Sequence, residues 1–234
     1  ERKPKTYERM DLFMKKQMGK TDRRNFCVTI CLLVAFALWT IAVGSIDVQP
    51  IGPRHSEVGF ATMNGLVHRL IGMHMQLYVI TDWLGLVPIG FALGFAALGF
   101  VQLVKRKSIL KVDNSILILG GYYILVIVVY VFFEIHIVNY RPVLVEGYLE
   151  ASYPSSTTML VTTVMPTAMM QLSERVKNSR FRYVLKLLIN SFMVFMVIGR
   201  FVSGVHWISD IIGGLLLSAG LVMLYYSVMK SKEL

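Results

Sequence analysis

No Asp, Glu, Lys or Arg stands between Phe26 and Ile46. Coiled at about 1.5 Å per residue, a run of this length spans the roughly 30 Å hydrocarbon core of a bilayer. Lipid offers the backbone no hydrogen-bond partners, so such a run must satisfy its own amides as a helix. The pattern recurs along the chain. Leu77–Val104, Ser115–Val138, Thr157–Leu172, Arg182–Val202 and His206–Met229 read as further spans, the fourth short and interrupted by Pro166. With 55 % hydrophobic residues and a mean hydropathy of +0.60, the expected fold is all-α, a polytopic membrane protein with six transmembrane helices. One transmembrane domain over residues 26–229 is expected, between a basic N-terminal segment, 1–25, and a short tail, 230–234.

The net charge of +10 invites a nucleic-acid reading, but the basic residues lie between apolar runs and form no face interleaved with aromatics. Their positions suit cytoplasmic anchors instead. The four segments rich in Lys and Arg are the N-terminus, 105–111, 174–186 and the C-terminus. Six spans place all four on one side, the cytoplasm, with both termini. Segments 47–76, 139–156 and 203–205 then face outward. Within the first of these, Pro50, Gly52 and Pro53 break the chain, and Glu57–Met75 carries apolar residues at helical spacing, as an interfacial helix would. The first apolar run is longer than a signal-peptide core and lacks a small-residue cleavage site, so it is expected to be retained. Cys27 and Cys31 lie four apart inside it, without zinc-ligand partners, and read as packed or lipid-facing thiols. Gly90-x-x-x-Gly94 has the spacing of a helix-packing motif, although close packing without a motif is the plainer reading.

The outer face collects the residues with chemistry. His206 and Asp210 are four apart at a helix start and share a face. Asp210 is expected to accept a hydrogen bond from one ring nitrogen of His206 and leave the other free to attack. Arg200 precedes them across the Ser203-Gly204 turn, with a planar fork suited to phosphate oxygens. Arg141-Pro142 ends the third span, where proline stops the helix and leaves the guanidinium at the outer mouth. Ser155 and Ser156 open the fourth span, where unpaired backbone N–H groups favour an anion. Taken singly, each has a plainer role: a satisfied His–Asp pair, a snorkelling arginine, an N-cap. Together they read as a phosphate site at a membrane surface.

These residues resemble the type 2 phosphatidic acid phosphatase family across residues 26–229. The family's third motif, Ser-Arg-x5-His-x3-Asp, appears as Gly199-Arg200-x5-His206-x3-Asp210. Its second, Pro-Ser-Gly-His, appears as Pro154-Ser155-Ser156-Thr157, and its first, Lys-x6-Arg-Pro, as Glu134-x6-Arg141-Pro142. The segment Asp47–Pro53 also resembles the first outer loop of members from Gram-positive bacteria. The resemblance implies a phosphohistidine at His206, oriented by Asp210, with Arg200, Arg141 and Ser155 on the phosphate. No metal or cofactor is implied, and the partner is a phosphate-bearing lipid in the bilayer, prenyl phosphates of the cell envelope among the candidates.

Two positions depart from the pattern. Thr157 stands where the family has its general acid, and a threonine hydroxyl cannot supply a proton near neutral pH. Diphosphates, whose leaving phosphate is already a weak base, should therefore be turned over better relative to monophosphates than in members that have the histidine. Glu134 stands where the family has a phosphate-binding lysine. It is expected either to pair with an arginine or, if buried, to stay protonated and serve as the acid. His55, His68, His74 and His136 are weaker substitutes for the acid. The alternative to a phosphohydrolase is an impaired relative that binds, senses or transports a phosphate lipid. The double departure favours that alternative, and retention of His206 with Asp210 opposes it. A transporter unrelated to phosphate explains the spans but not the three ordered motifs.

Overall fold

The computed structural model describes residues 5–232, with side chains throughout except at 5–18, 20 and 21. Residues 1–4 and 233–234, parts of the two terminal segments expected from sequence, lie outside the described residues. Eight α-helices follow one another: α1 (Lys5–Ser45), α2 (Ala61–Ile71), α3 (Met75–Leu84), α4 (Leu86–Arg106), α5 (Asn114–Ile135), α6 (Ser156–Arg175), α7 (Ser179–Val202) and α8 (Ile208–Lys232). Among the described residues only isolated β-bridges occur, all in the loops beside the site.

Among the described residues, five segments are long and apolar enough to cross a membrane: Asp22–Ser45, Met75–Arg106, Asn114–Ile135, Ser179–Val202 and Ile208–Lys232. The second comprises α3 and α4, which meet at Gly85. The segment read from sequence as the fourth span, α6, is not among them. The physical reason is its surroundings. α6 packs against α4, α5, α7 and α8, and Thr158, Thr163, Thr167 and Gln171 are all buried on it. The Thr163 and Thr167 hydroxyls donate to the carbonyls of Met159 (2.7 Å) and Thr163 (3.0 Å) one turn back. A helix sheathed by other helices does not need an apolar surface.

α1 and α8 form the most extensive pairing, with Thr29 Oγ1 3.3 Å from Ser227 Oγ at one end. At the other end Tyr153 joins two helices. Its hydroxyl lies 2.7 Å from Thr40 Oγ1 on α1, and its ring closes on Gly213 of α8, where a Cβ would come within 2.5 Å. Arg175 Nη2 donates to Ser115 Oγ (3.1 Å), placing the end of α6 beside the start of α5. The basic segments 105–111 and 174–186 thus share one end of the bundle, and the α7–α8 turn lies at the opposite end.

Two expectations change. The helix foreseen over Glu57–Met75 shortens to α2, because Phe60 is in the left-handed region (φ 47°) and Gly72 breaks the far end (φ 73°). Asp47 serves α2's start, accepting from Thr62 N at 2.7 Å, and that backbone bond holds its carboxyl below the ordinary range. Gly90 and Gly94 have no neighbour within 4 Å of where a Cβ would stand, so neither packs a helix.

Candidate functional site

A short turn and a hairpin build the site. Gly204 makes the α7–α8 turn with φ 69°, and a Cβ there would lie 2.0 Å from the Gly72 carbonyl oxygen. Only glycine fits both the left-handed backbone and that contact. The turn brings His206 back over Arg200. Opposite, residues 139–141 pair with 150–152, with Arg141 N donating to Glu150 O (3.0 Å) and Ser152 N to Asn139 O (2.9 Å). The hairpin carries Asn139, Arg141 and Ser152 to the same place.

Asp210 is fully buried and accepts from Asn139 Nδ2 (3.2 Å), Ser209 Oγ (3.3 Å), Trp207 N (3.0 Å) and Ser152 Oγ (2.5 Å). The direct bond to His206 expected from the spacing is absent: His206 Nδ1 stands 3.9 Å from Asp210 Oδ2. Ser152 lies between them, its Oγ 3.1 Å from Nδ1, and its carbonyl oxygen is also 3.2 Å from Nδ1. His206 lies in the bend before α8, outside the helix that holds Asp210, so the expected shared helix face is not formed and the ring does not reach the carboxylate.

These contacts settle the tautomer. The Ser152 carbonyl can only accept, and the Ser152 hydroxyl spends its one proton on Asp210. Nδ1 therefore carries the ring proton, and Nε2 keeps its lone pair. Arg200 Nη2, which can only donate, lies 3.2 Å from Nε2 and agrees. Burial pushes the His206 pKa well below the ordinary 6.5, and the charges of Arg141 and Arg200 push it the same way, against the Ser152 carbonyl. The ring is therefore neutral at physiological pH, with Nε2 unprotonated.

Arg200 and Arg141, 1 % and 8 % exposed, bring two cations to this buried imidazole. Tyr78 of α3 lies beneath both, 4.9 Å from Arg200 Cζ and 5.9 Å from Arg141 Cζ. Asp82, one turn further along α3 and 57 % exposed, reaches Arg200 Nη1 at 3.5 Å. Arg141 Nε is 3.1 Å from Glu150 Oε2 but off line for a hydrogen bond. Buried Nε and Nη1 of Arg141, Nε of Arg200 and Oγ of Ser155 have no hydrogen-bond partner. Orphaned buried donors are costly, and these suit an anion beside Nε2. Ser155 is the N-cap of α6, yet its side chain makes no capping bond, so capping does not account for it.

Glu134 and Thr157, read from sequence as departures from the motifs, flank the site, Glu134 lining a small pocket with Ser152 and Ser156. Glu134 is exposed and forms no ion pair with an arginine, since Arg141 pairs with Glu150. It is thus not the buried carboxyl that one of the two expectations required. Thr157 sits against the α3–α4 junction, its methyl 3.6 Å from where a Gly85 Cβ would stand. With Ser156 it lines one end of an apolar cleft of about 960 Å³ among α4, α5 and α6. The other histidines bond to backbone: His68 Nε2 lies 3.1 Å from Gly204 O, His74 Nε2 3.0 Å from Ile71 O, and His136 Nδ1 3.0 Å from Phe132 O. His55 is exposed. Among the described residues no cluster of His, Cys, Asp and Glu could hold a metal ion.

Sequence reasoning missed Ser152, Tyr78 and Asp82 as site residues. For α3 the available signal was the polar pair Tyr78 and Asp82, one turn apart in an apolar stretch. Ser152 carried no signal.

Residues 115–233 match the family model described as the PAP2 superfamily. No curated protein matches the chain. The crystal structure of a transmembrane PAP2 type phosphatidylglycerolphosphate phosphatase from Bacillus subtilis is similar, with a TM-score of 0.51 and 20 % sequence identity. The match covers 87 % of this chain and 96 % of that one, and it establishes a shared fold.

Proposed function

Because the chain belongs to the PAP2 superfamily, we propose that it is a membrane lipid phosphohydrolase acting through a phosphohistidine at His206. The observation that carries this reading is the neutral, buried His206 with its Nε2 lone pair beside two arginines that retain unpartnered donors. A phosphate group docks on Arg141, Arg200 and Ser155, displacing Arg200 Nη2 from Nε2. Nε2 attacks phosphorus, the bond to the leaving oxygen breaks, and the arginines hold the developing charge. Water then attacks the phosphohistidine and releases orthophosphate. Ser156 and the first amides of α6 face the same anion.

The apolar cleft among α4, α5 and α6, which ends at Ser156 and Thr157, suits the hydrocarbon tail of the lipid. With no acid at Thr157, a leaving group that departs without a proton is preferred, which favours lipid diphosphates over monoesters. α6 is the sixth crossing in this reading. Both termini then lie in the cytoplasm with the basic segments, and His206 faces outward.

Binding without turnover is the second reading. Asp82 on Arg200, and Arg200 on Nε2, describe a site whose cations are already engaged. One experiment separates the two. Orthophosphate release from lipid mono- and diphosphates in liposomes, phosphatidylglycerolphosphate included, is compared between wild type and H206A. Release that disappears in H206A, fastest on diphosphates, supports hydrolysis. Lipid binding with no release above H206A on any substrate replaces it with the binding reading.

A further inference from the structure

The contact between Asp210 and His206 runs through a third side chain. Ser152 Oγ is 2.5 Å from Asp210 Oδ2 and 3.1 Å from His206 Nδ1, whereas the two titratable groups are 3.9 Å apart. All three are buried. The 2.5 Å distance is that of a charge-assisted O–H···O⁻ bond, so the hydroxyl proton points at Asp210 and the oxygen lone pairs at the ring. Backbone pairing fixes Ser152 from outside the turn that carries His206: Ser152 N donates to Asn139 O at 2.9 Å, and Asn139 Nδ2 donates to Asp210 Oδ1 at 3.2 Å.

We propose that Ser152 is a positioning residue that relays the Asp210 carboxylate to His206, donating to Asp210 and accepting from the imidazole Nδ1–H. The proposal rests on His206 being the nucleophile. When Nε2 becomes phosphorylated, positive charge accumulates on the ring and the Nδ1–H bond to Ser152 strengthens. Polarisation of the Ser152 hydroxyl by Asp210 makes its oxygen a better acceptor at that moment. No proton needs to leave the ring. The hairpin that carries Arg141 to the phosphate therefore also carries the link between nucleophile and carboxylate, which couples phosphate binding to the readiness of His206.

The rival within the same geometry is the Ser152 carbonyl, 3.2 Å from Nδ1, which a side-chain substitution leaves in place. The first measurement needs no turnover. Nitrogen and proton resonances of the His206 imidazole, in full-length protein in nanodiscs, are compared for wild type, D210N, S152A and the S152A/D210N pair. A relay predicts that D210N moves the Nδ1 signals in the presence of Ser152 and moves them less than about half as far in the S152A background. An equal displacement in both backgrounds overturns it.

The second measurement is kinetic. S152A is expected to lower kcat about tenfold or more with KM within about twofold, and S152T, which keeps the hydroxyl, to recover most of the loss. Adding S152A to D210N should cost no more than about threefold beyond D210N alone. Losses that multiply, or S152A activity within about threefold of wild type, overturn the relay and leave the ring to the carbonyl. Should wild type and H206A be equally inactive, the function proposed above fails, and the resonance comparison still decides the role of Ser152.

Discussion

The two halves of the site are built to different standards. Around the α7–α8 turn, His206, Asp210, Arg200 and Ser152 are all buried, and each has a hydrogen-bonded neighbour. Across the cleft, where a leaving group would depart, Glu134 is exposed and Thr157 rests against Gly85 without a titratable group of its own. The proposed nucleophile is pre-organised, and the side proposed for the leaving group is left open. Preorganised polar groups in a dry site account for most of the rate in many enzymes, and a missing acid removes a smaller factor. The difference teaches that loss of the leaving-group machinery need not imply loss of the phosphorylation step.

The strongest way to break this contrast is at Asp210. D210N leaves one buried oxygen as a poor acceptor for the four donors around it, and phosphohistidine formation should fall by about 10³-fold or more. Rapid-quench measurement of the phosphoenzyme checks this, and a loss below about tenfold would show that the buried half is not what drives the chemistry.

R141Q removes one of the two cations beside His206. Affinity for orthophosphate or vanadate should weaken by about tenfold to a hundredfold. The same change has a pH signature. Arg141 lowers the His206 pKa by disfavouring the imidazolium, so its removal raises that pKa. Activity needs the neutral ring, so the acid limb of kcat/KM, lying below the ordinary 6.5 in wild type, should move upward in R141Q. An unmoved limb would place Arg141 outside the field felt by His206.

T157H tests the open half directly. An imidazole at the head of α6 should raise turnover of lipid monophosphates by about tenfold or more while changing diphosphates little. A uniform change across both classes would mean that proton delivery to the leaving group is not what this side lacks.

The smallest effect is expected at Asp82, whose exposed carboxylate competes for Arg200. D82N should tighten orthophosphate binding by about twofold to fivefold, the range of an exposed ion pair, and less at high salt. Weaker binding would instead make Asp82 part of the phosphate cradle.

Much of this protein was legible in one dimension. The apolar runs, the basic segments in every second connection and the closeness of Arg200, His206 and Asp210 along the chain are local properties, the first two set by the length a helix needs to cross lipid and by the cost of charge there. They gave five of the six expected spans to within a few residues and brought Arg200, His206 and Asp210 to one place. α6 shows where the local reading stops. Its threonines and Gln171 weaken the apolar signal because helices rather than lipid surround it, and no window along the chain records which neighbours a helix will have. The same holds for the contacts that refine the chemistry. Ser152 meets Asp210 across 58 residues, and Asp82 meets Arg200 across 118. Hydrogen bonds and ion pairs act over about 3–4 Å, so only the packed bundle, which brings distant segments to that range, selects a serine rather than bare proximity to join His206 to its carboxylate.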